Sequence, residues 1–246
     1  MKSKSAPQIC IIKAGSTFPE NVAQSGDFDD WLIAGLGVPK AEVRVIDIHK
    51  NGKLPDPAEC AGVLVSGAHA MITDDLPWMR KLTDWTRRVV TAQVPFLGIC
   101  FGHQMLARAM GGKVDFHPDG REIGSVEIEL NAAAASDLLF ASLPRRFPAH
   151  AVHAQSVRAL PASATLLAGN AFEATHAFRV GTCAWGVQFH PEFNLTQISH
   201  YLDHFTPSLQ EAGRDAAAIR ASLVETPESA GLLPRFAKLA QVVDYG

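Results

Sequence analysis

One stretch constrains this chain more than any other: Val94-Pro95-Phe96-Leu97-Gly98-Ile99-Cys100-Phe101-Gly102-His103-Gln104. It starts as a short apolar run and changes character at Gly98. After Gly102, Met105, Leu106, Ala109 and Met110 recur at helical spacing until Gly111-Gly112 ends the pattern. The spacing predicts a strand, a sharp turn and a helix, with Cys100 at the apex. Gly98 and Gly102 flank the cysteine as G-x-C-x-G, the cysteine form of a nucleophile elbow. So tight a turn brings two backbone segments together, and a Cβ at either flank would collide. The sulfur then stands above the carboxyl end of the sheet and at a helix N-terminus, which favours thiolate over thiol. Taken alone, the motif also fits a buried structural cysteine beside two turn glycines.

A second stretch shifts the balance. Trp185-Gly186-Val187-Gln188-Phe189-His190-Pro191-Glu192 reads as a strand ending in His-Pro-Glu. Residues two apart in an extended segment share a side, so His190 and Glu192 face the same way. Pro191 biases His190 toward the extended region. A carboxylate that close holds the imidazole in one tautomer and stabilises its charged form, so the ring can take a thiol proton as general base.

Together the two stretches resemble the class I, triad-type glutamine amidotransferases. The order of Cys100 and then His190-Pro191-Glu192 is similar to that family, and so is Val63-Leu64-Val65-Ser66-Gly67 at the position of the family's oxyanion loop. The resemblance covers residues 8 to 205. It implies a flavodoxin-like amidotransferase domain over residues 1–205. Residues 206–246 fall outside it and are expected to form a C-terminal helical extension packed on the domain or on a partner.

Composition bounds the rest. The chain has 246 residues, 47% of them apolar, enough for a sizeable core in one large domain or two small ones. A net charge of −3 gives no footprint for nucleic acid or an anionic membrane. Cys10, Cys60, Cys100 and Cys183 are scattered without a C-x-x-C pair, which suits free thiols in a reducing compartment. The first apolar run, Ile9 to Ile12, is too short for a signal sequence or a membrane span. The expectation is a soluble cytoplasmic protein. No phosphate loop and no G-x-G-x-x-G occurs, so no nucleotide site and no cofactor is expected. His200 and His204 are four apart on a helical stretch, but no carboxylate or thiol completes a set, so a surface pair rather than a metal site is expected.

Read in order, the chain alternates. Ile9–Ile12, Val43–Asp47, Gly62–Val65 and the elbow strand read as buried strands, and Lys13–Asp27 as a loop. Helices are expected from Phe28, capped by Asp27, from Pro77 to Thr91, and after Cys100. This alternation predicts an α/β fold with a mostly parallel central sheet and helices on both faces. Ligands then bind beyond the carboxyl ends of the strands. In the second half, Ser125–Leu130 alternates as a half-exposed antiparallel strand does, and Thr165–Ala168, Ala174–Val180 and Thr182–Phe189 are further strand candidates. Gly120–Gly124 reads as a loop whose Arg121 or Glu122 reaches the site or is solvated. Ala132–Ala135 reads as a loop or short helix. Leu195–Phe205 reads as a helix, and two more helical stretches follow Pro207, broken near Thr226-Pro227.

The resemblance also implies roles. Acyl transfer from an amide passes through an oxyanion, which needs N–H donors in place beforehand. Phe101, after the nucleophile, supplies one, and the loop Gly67-Ala68 implies the second. Many family members have Gly-Gly-Pro there, so this chain departs at Ala68 and His69. Gln104 lies where the family contacts the amino-acid end of bound glutamine. His153-Ala154-Gln155-Ser156-Val157 stands where many relatives have His-x-Asp-x-Val, which implicates His153, Gln155 and Ser156 in substrate binding. Gln155 replaces a charge, so slow turnover of free glutamine is expected. The implied activity is hydrolysis of the γ-carboxamide of glutamine through a cysteinyl thioester, releasing ammonia for a separate synthetase or acceptor subunit. Hydrolysis of other γ-glutamyl amides, as a γ-glutamyl peptidase, is a second reading. A catalytically silent regulatory module is a third, and the intact Cys100, His190 and Glu192 count against it.

Overall fold

The computed structural model describes residues 7–50 and 52–242. The chain opens with β1 (Gln8–Lys13), α1 (Pro19–Ser25), α2 (Phe28–Leu36), β2 (Val43–Asp47) and β3 (Cys60–Val65). Next come α3 (Pro77–Thr91), β4 (Phe96–Ile99), α4 (Phe101–Ala109), β5 (Lys113–Phe116) and β6 (Glu122–Leu130). The second half holds β7 (Arg146–His153), β8 (Gln155–Ala159), β9 (Ala164–Gly169), β10 (Ala177–Val180) and β11 (Ala184–Val187). The helices α5 (Leu195–Glu211), α6 (Ala216–Ala221), α7 (Pro227–Ala230) and α8 (Leu232–Val242) close it.

Nine strands form one sheet in the order β2-β1-β3-β4-β11-β10-β9-β6-β7. The first five are parallel and the remaining neighbours antiparallel. β1 shows why its apolar run is continuous. Ile9 and Ile11 enter the core layer under α2 and α8, while Cys10 and Ile12 enter the layer under α3 and α4. A central parallel strand is buried on both faces, so both sets of alternating positions are apolar. Asp27 caps α2 through a capping box with Asp30. Lys13, at the end of β1, ion-pairs Asp27 and Asp29 at 2.6 Å each and fixes that cap beside the carboxyl ends of the strands.

Several segments differ from the sequence reading. The loop expected over Lys13–Asp27 contains α1, which Pro19 starts at its first turn and Gly26 ends at φ +84°. Glu122–Gly124 belong to β6 rather than a loop, and Glu122 is buried. β7 escaped detection because Pro148 lies within it, and proline is tolerated there because β7 is the last strand of the sheet. Helix α5 runs on to Glu211 with Pro207 inside it. Among the described residues, three helices follow it instead of two. Leu232, Leu233, Phe236, Ala237 and Ala240 of α8 are buried in the same core cluster as Leu32 and Leu36 of α2. Among the described residues no helix is long and apolar enough to cross a membrane.

Candidate active site

The turn between β4 and α4 is held in a conformation that L-residues avoid. Cys100 sits at φ +50°, ψ −99°, a strain of roughly 1–3 kcal/mol that persists only where the surroundings enforce it. They do so from both sides. The Cys100 N–H donates to Val187 O of β11 at 2.8 Å. A Cβ on Gly98 would overlap the Gly102 carbonyl, and a Cβ on Gly102 would overlap Val65 O of β3. Cys100 is 8% exposed and opens onto a cavity of about 270 Å³.

His190 arrives from the next strand of the sheet. Its N–H donates to His150 O at 2.8 Å, which fixes the chain just past β11. Its Nδ1 donates to Glu192 Oε1 at 2.8 Å, so Nε2 is the nitrogen left for Cys100. The ring stacks on Phe193 at 4.1 Å between centroids and lies parallel to Phe28 at 6.4 Å. Burial disfavours the imidazolium, but the Glu192 carboxylate and the neighbouring Cys100 sulfur outweigh it and push His190 up to about 10. Glu192 is itself fully enclosed, and its Oε2 has no hydrogen-bond partner among the described residues.

The start of α4 and the loop after β3 both reach the cavity that Cys100 lines. Phe101 begins α4, so its N–H has no acceptor within the helix. The loop after β3 is pinned by Ser66, whose Oγ accepts from Ala14 N at 3.0 Å and donates to Gly67 O at 2.9 Å. Gly67 leaves just enough space for His190 Cε1, which a Cβ would approach to 3.1 Å. Outside glycine, positive φ among the described residues occurs at Asp75, Gln93 and Cys100, so Ala68 adopts its turn without strain. Ala68 and Phe101 both line the cavity.

A strained cysteine at a helix start, an imidazole and a carboxylate in line, and two amide donors can together transfer an acyl group from an amide. Residues 24–207 match the family model described as Glutamine amidotransferase class-I. The chain belongs to the class-I glutamine amidotransferase family. The chain is 30% identical over 191 residues to a subunit of the glutamine-hydrolyzing GMP synthase of Methanococcus vannielii, covering 77% of this chain and 89% of that protein. It is 30% identical over 177 residues to Gamma-glutamyl peptidase 4 of Arabidopsis thaliana, covering 70% and 69% respectively. In fold it matches a glutamine amidotransferase from Thermotoga maritima with a TM-score of 0.74 at 20% identity, over 96% of this chain and 100% of the other.

The remaining expected residues are placed unevenly. Gln104 lines the cavity, but its Nε2 donates to Gln155 O at 2.8 Å and Gln188 Oε1 at 3.0 Å. The Gln155 side chain is committed to the loop beyond β3: Oε1 accepts from Ile72 N at 2.9 Å and Nε2 donates to Thr73 Oγ1 at 2.6 Å. His153 is held by Glu122 Oε2 and by Gln155 O. Ser156 is fully buried and lies off the cavity wall. His204, expected in a surface pair with His200, stacks on Phe18 at 3.6 Å and lines the cavity.

Sequence reasoning missed the aromatic part of the wall, where Phe18, Phe28, His69, Tyr201 and Phe205 line the cavity together with Arg121. It also missed that Glu122, His153 and His176 bring one oxygen and two ring nitrogens within 4.8 Å of one another, a donor set able to hold a metal ion. The pairing of β6 with β7 sets Glu122 opposite His153. Glu122 Oε2 meets His153 Nε2 at 2.8 Å and His176 Nε2 at 3.0 Å, while Asn170 donates to Oε1. Burial works against this carboxylate, but the two imidazoles hold it well below the usual range.

Proposed function

We propose that the chain is a cysteine-dependent amidohydrolase that cleaves the terminal carboxamide of a glutamine-type substrate. Cys100 is the nucleophile, His190 the proton carrier and Glu192 the group that orients it. The observation that carries this reading is His190, held at Nδ1 by Glu192, lining the same cavity as a strained Cys100. His190 takes the thiol proton, and the sulfur attacks the carbonyl carbon. The oxyanion is met by the N–H groups of Phe101 and Ala68. As the C–N bond breaks, the imidazolium gives its proton to the leaving nitrogen, and ammonia or an amine departs. Water, deprotonated by His190, then hydrolyses the thioester and releases the acid and the thiol.

One relative is named as part of a glutamine-hydrolyzing GMP synthase, and by that likeness a separate acceptor protein is the proposed consumer of ammonia. A second reading, cleavage of γ-glutamyl amides other than glutamine, is favoured by the engagement of Gln155 away from the cavity. Release of ammonia or amine from glutamine and from a panel of γ-glutamyl dipeptides, by wild type and Cys100→Ser, tests both readings. Turnover surviving in folded Cys100→Ser would end them.

A further inference from the structure

The cavity offers a cation and lacks a carboxylate. Arg121 stands on its wall, half-buried, with its guanidinium stacked 3.9 Å from the Phe205 ring centroid. Burial works against its charge, the Cys100 sulfur favours it, and a second cation, Arg214, opposes it while donating to the Arg121 carbonyl. No ion pair of Arg121 occurs among the described residues, whereas a part-buried guanidinium in proteins is normally matched by a carboxylate. None of the residues lining the cavity is Asp or Glu. Three buried acids are spoken for elsewhere: Glu192 by His190, Glu122 by two histidines and Asn170, Asp27 by Lys13 and two backbone N–H groups. Nor do Tyr201 and His69 on that wall supply a negative charge. Burial pushes the Tyr201 hydroxyl well above the usual phenol range, and it accepts from Thr17. His69 is lowered by burial to about 4 and is neutral at pH 7. Gln104, His153 and Gln155 are engaged with one another, with Glu122 or with the 72–73 loop.

We infer that the substrate carries a carboxylate, held by Arg121, and no free ammonium: an ω-monoamide of a dicarboxylic acid whose α-amino group is absent or acylated. This rests on the reading of Cys100 as attacking a carboxamide, and it narrows that reading. A guanidinium binds a carboxylate through two parallel N–H donors. An ammonium brought into this cavity would lose water and meet Arg121 in place of a carboxylate.

Two measurements separate the inference from the reading beneath it. The first is calorimetric binding of glutaramate, N-acetyl-L-glutamine, L-glutamine and butyramide to the Cys100→Ser protein, which needs no chemistry. Glutaramate and N-acetyl-L-glutamine are expected to bind at least about tenfold tighter than L-glutamine or butyramide, the scale of one charge-assisted hydrogen bond. In the double variant with Arg121→Met the glutaramate-to-butyramide ratio falls about ten- to hundredfold, and Arg121→Lys recovers part of it. The second is hydrolysis of the same four amides by the wild type. Glutaramate bound as expected but not hydrolysed would sink the catalytic reading and leave the carboxylate site standing. L-Glutamine binding as tightly as glutaramate, or a ratio unmoved in folded Arg121→Met, would overturn the inference.

Discussion

Replacing Glu192 with Gln changes one charge and little volume, and the structure says what that charge does. The carboxylate is wholly enclosed, 2.8 Å from His190 Nδ1, and is the chief influence raising His190 against its burial to about 10. A glutamine carbonyl can still accept from Nδ1, but its amide nitrogen would occupy the position of Oε2, which has no partner among the described residues. A buried hydrogen bond to a charged group contributes about 1.5–3 kcal/mol. If that acts on the imidazolium during C–N cleavage, kcat falls about ten- to hundredfold at roughly 1.4 kcal/mol per decade, with KM little changed. The pH profile adds a second readout. His190 must be protonated to release the leaving nitrogen, so activity persists as pH rises and is lost near 10; in Glu192→Gln that alkaline limb moves down toward the ordinary 6.5. Folding follows the same sign. The raised pKa contributes stability that is full below 6.5 and is lost as pH rises toward 10, so the variant is destabilised most at low and neutral pH. Steady-state kinetics across pH, with thermal melts in the same buffers, measure both. A variant with wild-type kcat and an unmoved alkaline limb would refute the role given to Glu192.

Other substitutions probe separate parts of the structure. Gly102→Ala puts a Cβ into Val65 O, a backbone collision expected to destabilise by more than the roughly 1–3 kcal/mol of ordinary overpacking; a melting temperature within a few degrees of wild type would contradict it. Phe236→Ala removes a fully buried ring of α8 and should lower stability in urea by about 3–5 kcal/mol, whereas a detachable tail would unfold separately and leave the main transition unchanged. Gln155→Ala loses the hydrogen bonds to Ile72 and Thr73, at about 1 kcal/mol each, and should raise KM while loosening the loop to proteolysis. Unaltered KM and proteolysis would show that this anchor is dispensable.

Much of this architecture was legible because it is written locally. The apolar runs of β1, β3 and β4, the Asp27 cap and the period of Pro77–Thr91 each lie within a few residues of one another. The same holds for Cys100 between its glycines and for His190 two residues from Glu192. What stayed hidden depends on distant pairing. Glu122 meets His153 because β6 pairs with β7, and β7 carries a proline that argues against a strand. Arg121 meets Phe205 only because α5 packs across β6. The amide of Gln155 looks like a substrate contact by position, yet its partners, Ile72 and Thr73, lie in a loop that no local pattern links to it.

The central claim is a covalent intermediate on one sulfur. Rapid mixing of the wild type with a hydrolysed amide, acid quench and peptide-resolved mass spectrometry would look for it directly. The expected result is an acyl group on Cys100, formed with the first ammonia or amine released, absent in Cys100→Ser, and absent from Cys10, Cys60 and Cys183. Product release at full rate with Cys100 unmodified throughout, or the acyl group found on another cysteine, would contradict it.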